Sequence, residues 1–113
     1  MSDVFDFTED RKHTRDYKNH TPDILEAFNA FDAAVFAREG REIPLKYREL
    51  IALAVGITTQ CVYCIDSHAK AATEAGATTG ELAEAAWVAT AIRAGGGFAH
   101  GRLGFKFSGE HEH

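Results

Sequence analysis

The sequence predicts an all-α domain, and two features carry that expectation. Apolar residues recur every three or four positions in successive segments, and no stretch alternates with the period of two that a half-buried strand needs. Helix punctuation falls between those segments. Thr21-Pro22, Pro44, Gly76 and the Thr78/Glu81 pair each stand where a helix would start or stop.

Residues 1–20 mix charges and aromatics without a period, so they read as an extended or loosely held arm. Thr21 suits an N-cap and Pro22 the first helical turn. The stripe Ile24, Leu25, Phe28, Phe31, Val35 follows at helical spacing, with Asp32 at its edge. It fits either a core or a subunit interface, and Gly40 is expected to close the helix. Pro44 opens a second long helix. Residues 45–50 are amphipathic and residues 50–57 are apolar all round, which predicts a central position. Residues 58–60 form a polar break. A third helix should run from near Cys61 to Ala75 and stop at Gly76. Thr78 and Glu81 have capping-box spacing and open a helix carrying Leu82, Ala85, Ala86, Ala89 and Ile92. Gly95-Gly96-Gly97 is expected to end it. Residues 98–107 then form a short helix or an extended arm, and residues 108–113 a polar tail.

A chain of 113 residues reads as one domain. With 45% apolar and 26% charged residues its composition is that of a water-soluble globule. A net charge of −5 argues against nucleic acid, which calls for basic patches. No run approaches the 18 apolar residues of a membrane span. The opening residues 1–6 lack the basic and apolar regions of a signal peptide, so a cytoplasmic location is expected. In that compartment a Cys-x-x-Cys pair points to redox catalysis or metal binding rather than a structural staple.

The chain's two cysteines are Cys61 and Cys64, with His68 four residues further on. On a helix these three side chains fall within an arc of about 60°. A helix N-terminus favours a thiolate, and the imidazole can take the thiol proton or stabilise the anion. The spacing also permits a Cys61–Cys64 disulfide after modest adjustment. A cycle follows: one thiolate attacks an oxidant, becomes a sulfenic acid, and is resolved by the other cysteine. Glu49 sits on the apolar row of the central helix with Leu45 and Leu53. A carboxylate there needs a partner, and orienting His68 would supply one. The alternative is a surface carboxylate beside Arg48. A zinc site is also open to Cys61, Cys64 and His68, with His100 or Glu49 as the fourth ligand, though neither has a zinc spacing.

The run Arg48-Glu49-Leu50-Ile51-Ala52-Leu53-Ala54-Val55, then Cys61-x-x-Cys64-x-x-x-His68-x-x-Ala71-Ala72, then Gly76-Ala77-Thr78 and Glu81, resembles the carboxymuconolactone decarboxylase superfamily. The nearer match is its alkylhydroperoxidase D-like branch. The resemblance covers about residues 22–103. It implies a small helical fold and a homo-oligomer, commonly a trimer or a hexamer. It also implies a thiol-dependent peroxidase or disulfide reductase that uses no cofactor and no metal. Carried over, Cys64 is the peroxide-attacking thiol, Cys61 the resolving one, and His68 with Glu49 the proton relay. The implied partners are a hydroperoxide and an external dithiol reductant such as a lipoyl-bearing protein. The superfamily also contains lyases that act on carboxylated lactones. One residue departs from alkylhydroperoxidase D proper, where a relay histidine precedes the second cysteine. Here that residue is Tyr63, a poor proton shuttle at neutral pH.

Overall fold

The structure, a computed structural model, describes residues 5–109. Six helices follow one another among these residues: α1 (Phe7–Lys12), α2 (Thr14–His20), α3 (Pro22–Val35), α4 (Leu45–Thr58), α5 (Val62–Glu74) and α6 (Thr79–Ser108). No strand occurs among them, so the all-α expectation holds. The histidines at 111 and 113 lie outside the described residues.

α4 is the hub. It packs against α5 on one side and α6 on another. Its apolar run buries Leu53 and Gly56, while Ala72 of α5, Ala77 and Ala89 of α6 complete a small core. Lys46 and Glu81, joined at 3.0 Å, tie the start of α4 to the start of α6. The expected capping box is present: Thr78 Oγ1 accepts from the Glu81 N–H at 3.1 Å and Glu81 accepts from the Thr78 N–H at 2.9 Å.

Three expectations need correction, and Thr21 is the N-cap of α3 by position without a side-chain cap. Residues 7–20 are not extended; they form α1 and α2. Local capping supplies the reason, since Asp6 accepts from the Glu9 N–H at 3.1 Å and Glu9 pairs with Lys12 one turn on. Thr21 occupies the N-cap position of α3, but its hydroxyl donates backwards to the Tyr17 carbonyl at 3.0 Å and so finishes α2. α3 ends at Val35 rather than at Gly40. Two arginines explain this stop. Arg41 donates to the Ala34 carbonyl, and Arg48 donates to the carbonyls of Val35, Ala37 and Ile43 at 2.7–2.8 Å. Cationic donors at a helix C-terminus satisfy its orphan carbonyls and favour its dipole. Finally, α6 runs through Gly95-Gly96-Gly97 to Ser108 and closes at Gly109, whose φ of 77° is left-handed. Each glycine costs about 1 kcal/mol in a helix interior. Strong helix formers on both sides carry the hydrogen-bond ladder across.

The chain spans 59 × 39 × 37 Å with a radius of gyration of 18.9 Å, whereas a compact chain of this length has about 13 Å. Ile24, Phe28, Phe31 and Val35 of the α3 stripe lie exposed, which sets the core alternative aside for them, as do Trp87 and the aromatic residues of the second half of α6.

Candidate dithiol site

Two helix-end motifs deliver Cys61. α4 finishes in a Schellman turn: the Cys61 N–H bonds the Gly56 carbonyl at 2.9 Å and the Gln60 N–H bonds the Ile57 carbonyl at 3.2 Å. Gln60 takes the left-handed position, with φ 58°, where glycine is usual. Cys61 is at once the last residue of that turn and the N-cap of α5, its sulfur accepting from the Cys64 N–H at 3.2 Å. Cys64 lies in the first turn of α5. The two cysteines are disulfide-bonded, with Cα atoms 5.2 Å apart. When the bond is reduced, both sulfurs sit at the positive end of the α5 dipole, which favours a thiolate.

Gly56 is what lets α4 approach this close. A Cβ at residue 56 would stand 3.0 Å from the Cβ of Cys64 and 3.5 Å from the Ile65 nitrogen. The only sequence signal for it is a lone glycine inside an otherwise apolar helical run.

His68 follows one turn after Cys64 on α5. Its Nδ1 lies 2.6 Å from Glu49 Oε1 across the α4–α5 interface. Glu49 is only 6% exposed, so the surface-carboxylate alternative is set aside. With Glu49 ionised, Nδ1 carries the proton and Nε2 keeps a free lone pair. Phe36 stacks on the imidazole at 4.8 Å between ring centres, with 28° between the planes. Phe36 reaches it because Arg48 and Arg41 turn the chain at the end of α3. Neither Phe36 nor this role of Arg48 was read from the sequence, because both depend on contacts between segments far apart in the chain.

Cys64 and His68 share the wall of an open cleft of about 340 Å³. Val35, Phe36, Ile51 and Val55 line much of the rest, so an apolar molecule would be admitted and placed against the thiol and the imidazole.

Tyr63 faces away from that cleft. Its hydroxyl donates to Asp10 of α1 at 2.7 Å, and its ring meets Phe5 and Phe7 edge-on at 5.6 and 5.5 Å. The hydrogen bond to Asp10 holds the phenol proton above its ordinary range. Tyr63 therefore anchors the N-terminal helices and takes no part in the His68–Glu49 pair at the cleft.

Among the described residues, no group of three or more His, Cys, Asp or Glu is arranged to hold a metal ion. His100, weighed above as a fourth ligand, lies on the exposed part of α6 with Nδ1 3.0 Å from the Gly96 carbonyl. No described helix is long and apolar enough to cross a membrane.

Comparison with known proteins agrees with the fold. The sequence profile of the carboxymuconolactone decarboxylase family matches residues 22–103. A Paracoccus denitrificans protein described as uncharacterized protein 4 in cox locus is 44% identical over 77 residues, covering 68% of each chain. An uncharacterized Haemophilus influenzae protein is 42% identical over 73 residues, spanning 58% of this chain and 63% of its own. A crystal structure of a Methanobacterium thermoautotrophicum protein superposes with a TM-score of 0.70 at 37% identity, covering 79% of this chain and 98% of that one.

Proposed function

Because the chain belongs to the carboxymuconolactone decarboxylase family, we propose that it is a thiol-dependent peroxidase and disulfide oxidoreductase acting on organic hydroperoxides. The observation that carries this reading is the Cys61–Cys64 pair at the start of α5, beside a histidine held by a buried carboxylate.

The geometry suits the following cycle. His68 Nε2 takes the Cys64 proton, and Glu49 stabilises the imidazolium that forms. The Cys64 thiolate attacks the distal oxygen of the hydroperoxide. An S–O bond forms, the O–O bond breaks, and the alkoxide leaves as alcohol with the proton held on His68. Cys64 is now a sulfenic acid. Cys61 attacks its sulfur, hydroxide departs as water, and the disulfide closes. An external dithiol then attacks Cys61, releases the Cys64 thiolate, and leaves as its own disulfide. The sum is hydroperoxide plus dithiol to alcohol, water and disulfide.

No bound cofactor or metal enters the cycle. The dithiol is supplied by a separate donor, of which a lipoyl-bearing protein is one fitting class. A reducing compartment such as the cytoplasm would keep the donor charged. A homo-oligomer accounts for the exposed apolar surface of the single chain.

The test is a free-thiol count and intact mass on the reduced protein, before and after one equivalent of organic hydroperoxide. Loss of both thiols and of two hydrogens is expected, and Cys64→Ser should abolish peroxide consumption. Two thiols surviving excess peroxide, or full activity in Cys64→Ser, would overturn the reading.

A further inference from the structure

Two consecutive residues of α4 reach His68 by different routes. Glu49 meets the imidazole at its edge, through the 2.6 Å contact to Nδ1. Arg48 acts one step removed. Its Nη1 donates to the Val35 carbonyl and its Nη2 to the Ala37 carbonyl, both at 2.7 Å, so the guanidinium fork grips the chain on either side of Phe36. Its Nε donates to the Ile43 carbonyl at 2.8 Å, on the same connection between α3 and α4. Phe36 itself is the C-cap of α3, with φ −103° and ψ 23°, and its N–H bonds the Asp32 carbonyl at 3.1 Å. Held at both flanks, its ring lies over the imidazole at 4.8 Å between centres, with 28° between the planes.

Phe36 also divides two cavities. Among the described residues it alone lines both the cleft that holds Cys64 and His68 and a second cavity of about 180 Å³. The cleft is mainly apolar, whereas Arg38, Glu49 and Glu74 line the second cavity. His68 therefore stands on the thiol side of this ring and Glu49 on the charged side.

We propose that Phe36, seated by Arg48, is the positioning residue of the His68–Glu49 pair. The stack fixes the plane of the imidazole, so that Nδ1 stays on Glu49 while Nε2 stays free for the thiol. The face of an aromatic ring also attracts a cation within about 6 Å of its centre, so the stack favours the imidazolium left when Cys64 gives up its proton. As a partition, the ring keeps water of the charged cavity off the contact between Nδ1 and Glu49, and a hydrogen bond shielded from water is the stronger for it. A leucine fills most of the same space but has no ring face to offer. The proposal rests on His68 serving Cys64 as read above, and adds the residues that hold His68 in that service.

The assay is alkylation of Cys64 by iodoacetamide at neutral pH, in protein carrying Cys61→Ser. Serine keeps the N-cap of α5, and the rate reads the thiolate fraction at Cys64. His68→Gln sets the scale and should slow the reaction about tenfold or more. Phe36→Leu should slow it about two- to fivefold, with helical circular dichroism retained. Phe36→Met, also without a ring face, should behave alike and serves if the leucine variant folds poorly. Phe36→Tyr should keep the wild-type rate. Arg48→Lys, which keeps the charge and loses the fork, should match Phe36→Leu. In a His68→Gln background Phe36→Leu should cost nothing further, because it acts through the imidazole; a residue that merely supports the fold would cost the same in both backgrounds. Wild-type rates in Phe36→Leu and Phe36→Met, or a loss that adds to that of His68→Gln, overturn the positioning role. A wild-type rate in Arg48→Lys overturns the grip and leaves the stack. A wild-type rate in His68→Gln overturns the relay itself and this proposal with it, a result distinct from the others. Alkylation needs no peroxide, so failure of the peroxidase reading alone leaves every outcome readable.

Discussion

Replacing glycine by alanine at two positions in the helices should change stability in opposite directions. At both Gly56 and Gly95 the substitution favours the helix by about 1 kcal/mol, because alanine loses less backbone freedom on folding. At Gly95 the new methyl group meets nothing within 4 Å, so that gain stands. At Gly56 the methyl group would stand 3.0 Å from the Cβ of Cys64 and 3.5 Å from the Ile65 nitrogen. Neither neighbour is the free end of a flexible side chain, so α4 and α5 must separate. Overpacking of this kind costs about 1–3 kcal/mol, which outweighs the helical gain by about 1 kcal/mol at the midpoint. At 113 residues that corresponds to a Tm lower by about 4 °C for Gly56→Ala and higher by a similar amount for Gly95→Ala. Thermal unfolding followed by circular dichroism at one fixed protein concentration checks it. An equal rise in Tm for both variants would refute the argument that Gly56 exists to admit Cys64.

Two further outcomes follow from the polar pairs. Glu49→Gln keeps the shape of the buried side chain but exchanges a charge-assisted hydrogen bond for a neutral one, a loss of about 1.4 kcal/mol of imidazolium stabilisation. Stopped-flow oxidation of Cys64 should slow about tenfold while Tm is nearly unchanged; an undiminished rate would remove Glu49 from the relay. The Lys46–Glu81 pair sets a pH window. Glu81 is held below the ordinary carboxylate range by the Thr78 N–H and then by Lys46, so its contribution is full above the unfolded value and disappears as pH falls through the folded one. Lys46 is raised chiefly by its hydrogen bond to Glu81, so its contribution is full below the unfolded value and disappears as pH rises through the folded one. Glu81→Gln should flatten the acid limb of Tm against pH, and Lys46→Met the alkaline limb; unchanged limbs would show that solvent screens the pair completely.

The residues of the candidate site were legible in the chain because their signals are local. Cys61, Cys64 and His68 are spaced by one helix, and the capping box of Thr78 and Glu81 is satisfied within four residues. Glu49 was legible as an apolar-row carboxylate in need of a partner, with His68 as the expected one and a surface position beside Arg48 as the alternative; the contact to His68 decides for the first. The helicity of residues 7–20 was not legible because Asp6 capping Glu9 is a weak local signal. The end of α3 was misread because the groups that stop it, Arg41 and Arg48, lie beyond it in the chain.

The amino-acid sequence by itself determined the helical class, the dithiol at the start of a helix and the histidine one turn on, since each depends on neighbours within a few residues and on the 3.6-residue period. Only the tertiary structure decided that Glu49 bonds His68, that Phe36 stacks on it, that Tyr63 turns to Asp10, and that the apolar stripe of α3 lies bare. Those are distances between residues 19 to 53 positions apart, or surfaces left over after the chain has packed. Burial and pairing depend on which distant segment arrives, and no local period encodes that.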